Sequence, residues 1–259
     1  MKLTIAPYLS WFQQYTKKFY TSDKLEQRHI FLKEEHSLRV YDNALNIVKV
    51  EKCSEKLKFC VEFASLFHDL GRFEQYKRYK TFKDSESVNH AVLGYNILTS
   101  QDFWKDLPEE FKKYIGIAIL MHNRLHVSHK FPENISFVIK VVRDADKLDI
   151  FRVILEHLLN SQDNEVITLH LEDDKQKISP EIIADLEAGK LVDYNKMRYV
   201  NDFKLLLASW VYDFNFAYTY KTVLEQGYLE KLFSLLPNRL EVRKIESRLT
   251  CFLKCACEK

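Results

Sequence analysis

The stretch LKFCVEFASLFHDLGRF (residues 57–73) decides how the rest of the chain is read. Leu57, Cys60, Val61, Ala64 and Phe67 recur with the 3.6-residue period of a helix that buries one face. His68 continues that stripe, Asp69 follows it, and Gly71 fits the end of the helix. An imidazole on a buried helical face needs a hydrogen bond, a charge partner or a metal ion, because an unpaired buried polar group is costly.

The same pattern recurs on four more stretches. His36, Val40, Ala44 and Ile47 form one stripe, and His90, Gly94 and Ile97 a shorter one. Phe111, Ile115, Ala118 and His122 form a third, and Ile135, Val138, Val142, Asp146 and Ile150 a fourth. Pro7, Pro108, Pro132, Pro180 and Pro237 each precede such a pattern, where a missing N–H costs nothing. Gly189 and Gly227 fit helix ends, whereas Gly94 and Gly116 lie inside patterns and imply close helix contacts. The expectation is an all-α fold. Residues 1–28 read as an N-terminal helix and 29–157 as the main domain. Residues 158–259 read as a C-terminal helical extension packed on the same core. Polar residues 160–179 read as a loop with a short strand pair around Glu165 to Leu171. From about 203 to 257, two or three aromatic-rich helices are expected.

Composition removes several classes of function. The chain has 259 residues, 46% of them apolar and 29% charged, which is globular rather than disordered composition. Its 39 basic and 37 acidic residues leave a net charge of +2. That balance signals neither a nucleic-acid nor a membrane partner. With five glycines and no GxGxxG or GxxxxGK[ST], dinucleotide and P-loop readings fall. GxSxG and HExxH are absent too. Asp213 and Asn215 interrupt the longest apolar stretch, Leu205 to Tyr220, so it is too short and polar to span a bilayer. The N-terminus is a poor signal peptide, and a cytoplasmic chain with reduced thiols is expected. Cys53 and Cys60 read as small core residues. Cys251, Cys255 and Cys257 read as a tail without a chemical role.

Each of the five stripes thus contains one residue foreign to an apolar core: His36, His68, His90, His122 or Asp146. One polar cluster at the centre of the bundle would satisfy them together with Asp69, and a metal ion is the simplest way to form it. Imidazole with carboxylate, and no thiolate, suits one or two divalent transition-metal ions (Mn, Fe, Co, Ni or Zn) at an open site. Six ligands exceed one tetrahedral ion and suffice for two ions bridged by a carboxylate.

His36, then His68-Asp69 in LFHDLGRF, then Asp146 in RDADKLD resembles the H…HD…D signature of the HD-domain metal-dependent phosphohydrolase superfamily. The resemblance covers roughly residues 29–157. It implies an all-α fold of the HD type with Asp146 as the last ligand and Asp144 in support. Two further histidines mark the family's binuclear branch, and His90 in NHAVLGYNIL and His122 in ILMHN match them. Asn123 stands where some members carry an adjacent His, and no GYP segment follows, which argues against the cyclic-dinucleotide branch. The resemblance implies hydrolysis of a phosphoester of a nucleotide or other small phosphorylated metabolite by a metal-activated water. Asp69 would ligate and bridge. Arg72 and Lys147 are candidates for phosphate contact or for support of the ligands, and Arg39 is a similar candidate. The stretch 72–85 reads as a basic-aromatic segment that either lines a nucleotide site or packs on the bundle. Two other readings stay open: a di-iron oxygenase on a similar scaffold, and a metal-stabilised regulatory module without turnover. Oligomeric state is left open as well.

Overall fold

A computed structural model of the chain describes residues 3–160 and 171–258. Backbone contacts divide it into two compact units, Met1–Asp149 and Ile150–Lys259. The fold is all-α, and the one strand-like feature among the described residues is an isolated bridge between Glu172 and Tyr199. The expected strand pair around 165–171 falls, apart from Leu171, outside the described residues. No helix among the described residues is long and apolar enough to cross a membrane.

The first unit is built from α1 (Ala6–Lys17), α2 (Lys24–Glu51), α3 (Glu55–Phe67) and α4 (Gly71–Tyr79). They are followed by α5 (His90–Thr99), α6 (Asp102–Lys105), α7 (Glu109–Met121) and the start of α8 (Glu133–Leu159). Asp23, Ser54 and Asn89 accept N–H groups in the first turns of α2, α3 and α5. Helix α3 is central, packing against α1, α2 and α7, while α5 packs against α4 and α7. The aromatics of α3 build one side of the core. Phe59, Phe63 and Phe67 are all nearly or fully buried, with Phe12 and Phe73 alongside. Full burial of such a side chain contributes about 1.5–3 kcal/mol, so these rings fix α3 firmly. What α3 presents at its C-terminal end is therefore held by a rigid element.

In two respects the structure departs from the periodic reading. Gly71 does not end a helix. It is the first residue of α4, its φ is not positive, and its place is explained by contact with Gly94 of α5. Gly189 and Gly227 do adopt positive φ, at 70° and 63°. Cys53 lies before the Ser54 cap of α3 and is partly exposed, so only Cys60 of that pair is a core residue. Burial pushes the Cys60 thiol up to about 12.

The second unit takes up α8 from Ile150 and continues with α9 (Pro180–Glu187), α10 (Val200–Ser209) and α11 (Ala217–Glu225). It ends with α12 (Tyr228–Ser234) and α13 (Leu240–Cys257). The C-terminal region thus holds more and shorter helices than its composition suggests. Asp202 organises the unit. Buried completely, it accepts from Ser179 N and Oγ at 2.8 and 2.7 Å, and from Arg198 N and Tyr199 N at 2.9 and 3.0 Å. One carboxylate therefore ties the start of α9 to the start of α10. Cys251 and Cys255 are exposed on α13.

Candidate metal centre

Six side chains from the first unit converge. His36 comes from the middle of α2, His90 is the first residue of α5, and Asp146 lies on α8. His68 and His122 follow the last residues of α3 and α7. Asp69 sits in the turn between α3 and α4. His36, His68, Asp69, His90 and His122 are all at most 6% exposed. Asp146 keeps 16% of its side chain open to solvent.

Within the cluster the atoms fall into two halves around Asp69. His36 Nε2 lies 3.1 Å from Asp146 Oδ1, 3.7 Å from Asp69 Oδ2 and 3.3 Å from His68 Nε2. His68 Nε2 lies 3.7 Å from Asp146 Oδ1 and 4.0 Å from Asp69 Oδ2. On the other side, His90 Nε2 lies 3.2 Å from Asp69 Oδ1 and 3.0 Å from His122 Nε2. His122 Nε2 lies 3.7 Å from the same oxygen. The groups His36, His68, Asp146 and His68, Asp69, His122 each bring their ligand atoms within 4.8 Å of one another.

Whether this donor set fits a metal ion is decided by the other imidazole nitrogens. His68 Nδ1 and His122 Nδ1 each lie 2.7 Å from a backbone carbonyl, of Ser65 and Ile119. His36 Nδ1 lies 2.7 Å from Asp149 Oδ2, and His90 Nδ1 lies 2.8 Å from Asp84 Oδ2. A carbonyl or a carboxylate accepts, so each Nδ1 carries the proton and donates. Nε2 of each ring faces inward and is the nitrogen left to bind a cation. Two pairs of acceptor nitrogens at 3.3 and 3.0 Å repel unless a cation lies between them. Ligand atoms about 2.1 Å from one ion lie roughly 3.0–3.4 Å apart at octahedral or tetrahedral angles, close to the shorter spacings found. The donor set fits divalent metal.

The electrostatics agree with charged carboxylates here. Burial alone would raise the Asp69 carboxyl, yet Lys33, Arg72 and His68 hold it well below the usual carboxylate range. Against the same burial, His36 and His68 keep Asp146 well below that range. Burial takes His122 down to about 4, favouring its neutral, ligating form.

Around the ligands stands a ring of supporting groups. Asp149 holds His36 and is itself held by Arg39 Nε at 2.7 Å. Burial would raise the Asp149 carboxyl, but His36 and Arg39 bring it down to about 2. Asp84 holds His90 and accepts from Arg72 at 3.1 Å, Gln75 at 2.9 Å and Asn123 at 3.3 Å. It too is brought down to about 2, against burial, by His90 and Arg72. Arg143 gathers the carbonyls at the end of α7, donating to His122 O at 2.9 Å. These partners fix the tautomer and aim of each ring, as supporting groups around metal-ligating histidines do.

Of the three cations named from sequence, Arg39 is engaged with Asp149, and Arg72 with Asp69, Gln75 and Asp84. Lys147 is buried on α8 beside Asp146. In the 72–85 stretch, Tyr76 is buried against Phe82 and His29, while Tyr79 is exposed. Arg78 and Lys80 pair with Glu74 and Glu26. The supporting residues Lys33, Asp84 and Asp149 were not among those singled out from sequence. Two of them carried a signal: Lys33 stands three residues before His36 and Asp149 three after Asp146, the same helical faces as the ligands. Asp84 lies in the short helical turn Asp84–Glu86, off the ligand helices, and had none.

Replacing Asp84 by Ala should leave the fold intact but release His90. The affinity of the His90–His122 half for divalent metal is expected to fall about 10- to 100-fold, as read by metal titration. An unchanged affinity would show that His90 needs no such support.

No curated protein and no solved structure is significantly similar to the chain. Residues 34–151 match the family model described as HD domain. That segment contains all six converging side chains, so the part of the chain that is similar to HD domains is the part that builds the cluster.

Proposed function

We propose that the chain is a binuclear metal-dependent phosphohydrolase acting on a small phosphorylated metabolite. The observation that carries this reading is the division of labour at Asp69. Its Oδ2 faces His36 and His68, and its Oδ1 faces His90 and His122. A carboxylate so placed is suited to bridge two ions. His36, His68, Asp146 and Asp69 would hold one, and His90, His122 and Asp69 the other. Divalent ions bound there would supply Lewis acidity toward a phosphoryl oxygen and lower the pKa of a coordinated water.

The chain's own residues do the rest. Their supporting hydrogen bonds fix the tautomer and aim of the four imidazoles. Lys33 and Arg72 hold the Asp69 carboxylate in one orientation, at 2.9 and 3.3 Å. The buried rings exclude bulk water on every side but the rim, where Asp146, Lys33, Arg72 and Asp84 keep partial exposure.

The test is metal analysis combined with a screen of phosphorylated metabolites under several divalent metals. Close to two transition-metal ions per chain are expected, with phosphate released in the absence of oxygen. Oxygen consumption with a di-iron spectrum would support the oxygenase reading instead. Full metal content without turnover on any phosphoester would support the regulatory one. Chelation provides a separate check. Ions present at about 100 times their Kd stabilise by about 2.7 kcal/mol, so stripping them should lower Tm by roughly 5–10 °C for a unit of this size. An unchanged Tm would argue that nothing binds.

A further inference from the structure

We propose that Lys33 binds a phosphoryl oxygen of the substrate, an assignment that rests on the phosphohydrolase reading above. The cations around the cluster differ in what they have left to give. The Arg72 guanidinium is engaged by Asp69, Gln75, Asp84 and the Phe82 carbonyl. Arg39 is engaged by Asp149 and Glu35, and Arg143 by the carbonyls of Met121, His122 and Arg124. These three hold the scaffold.

Lys33 is placed differently. Among the described residues its ammonium makes one hydrogen bond, to Asp69 Oδ2 at 2.9 Å, and otherwise lies 5.2 Å over the Phe82 ring. An ammonium has three donors, so donors remain. The side chain is 18% exposed, against 4% for Asp69, which puts its head at the rim and its partner inside. Asp69 Oδ2 is the oxygen that faces His36 and His68. An oxyanion held on that half of the cluster would therefore arrive beside the ammonium.

The arm is also set in advance. Phe82 stacks on Tyr76 with ring centroids 4.9 Å apart, and Tyr76 in turn bonds His29 at 2.6 Å. The cation rests on an anchored ring, so little side-chain freedom is left to lose when an anion binds. A lysine at such a place acts as a point charge toward phosphate, without the planar matching that arginine requires. Lys33 is thus both a positioning residue for Asp69 and a direct ligand for a tetrahedral oxyanion. The second role separates it from Arg72.

Inorganic phosphate is the probe. The full chain is loaded with Mn²⁺, its metal content measured, and phosphate affinity determined by calorimetry for the wild type, Lys33→Gln and Lys33→Arg. Lys33→Gln is expected to keep the wild-type metal content and helical signal and to bind phosphate about tenfold more weakly. Lys33→Arg, which keeps the charge, should stay within about threefold of wild type. Phosphate affinity unchanged in Lys33→Gln with metal retained would overturn the proposal and leave the metal centre standing. Loss of metal in Lys33→Gln, or equal losses of phosphate affinity in both variants, would overturn it in favour of a purely structural role. Wild-type protein that takes up no metal would overturn the phosphohydrolase reading, and this proposal with it.

Discussion

Asp69→Asn is expected to release metal from both halves of the cluster and to lower phosphoester hydrolysis by about 10³-fold or more. Its two carboxylate oxygens are shared between the two imidazole pairs, and an amide offers one weak oxygen donor where the carboxylate offers two charged ones. Lewis-acid stabilisation is worth several kcal/mol, and each 1.36 kcal/mol is a factor of ten in rate. The helices should survive the change. The core of the first unit rests on Phe59, Phe63, Phe67 and Phe73, none of which involves Asp69, and Asn keeps the volume. Removing the charge does leave Lys33 and Arg72 facing a neutral group inside, so a drop in Tm of a few degrees should accompany the loss. The check is metal content, turnover and far-UV circular dichroism on one preparation. Two ions per chain and full turnover in the variant would remove Asp69 from the centre of the site. Loss of one ion only would assign Asp69 to one half and deny the bridge.

How much of this was legible in the sequence depends on the kind of residue. The apolar stripes were readable because burial imposes the 3.6-residue period directly, and α3 and α7 follow from it. The histidines stood out because each occupies a place in a stripe where an apolar residue belongs. Asp146 stood out for the same reason. Which histidines pair was not legible. The pairing of His90 with His122 across Asp69 Oδ1, and of His36 with His68 across Oδ2, depends on how α2, α5 and α7 are arranged about α3. Periodicity within one helix says nothing about that arrangement. Supporting residues were legible only where they share a helix with a ligand. Asp149 is found by counting three on from Asp146. Asp84 is placed against His90 by the short turn Asp84–Glu86 and by Gln75, which donates to Asp84, Ser87 and the Val88 carbonyl at 2.8–2.9 Å. No one-dimensional pattern encodes that. Charge was misleading in another way. Arg39 and Arg72 look like substrate-binding cations by position, yet each is engaged with buried carboxylates, because a buried carboxylate must be paired to remain charged.

Gly71 shows the same limit, and it carries the second large effect. Glycine after a helical stripe suggests a terminating residue with positive φ, but here φ is not positive. The reason for glycine is instead the lack of a side chain. A Cβ at Gly71 would press into the carbonyl oxygen of His90 and stand 2.6 Å from Gly94 N, both backbone atoms of α5. A Cβ at Gly94 would meet Gly71 N at 2.8 Å from the other side. Neither clash can be relieved by a side-chain rotation, so in Gly71→Ala α5 must move away from α4. Overpacking of this kind costs about 3 kcal/mol at the upper end of its usual range. For a unit of this size that lowers Tm by roughly 6–12 °C. The displacement starts at His90, the first residue of α5 and a member of the metal cluster, so stability and metal content should fall together. One ion per chain is expected to remain, in the half formed by His36, His68 and Asp146. Gly94→Ala drives the same separation, so the double variant should cost clearly less than the two single changes added, since adjacent residues that relieve one clash do not act independently. A Gly71→Ala protein with wild-type Tm and two ions per chain would show that the α4–α5 contact is looser than this packing requires. A lower Tm with both ions retained would mean that α5 can shift without carrying His90 out of the cluster.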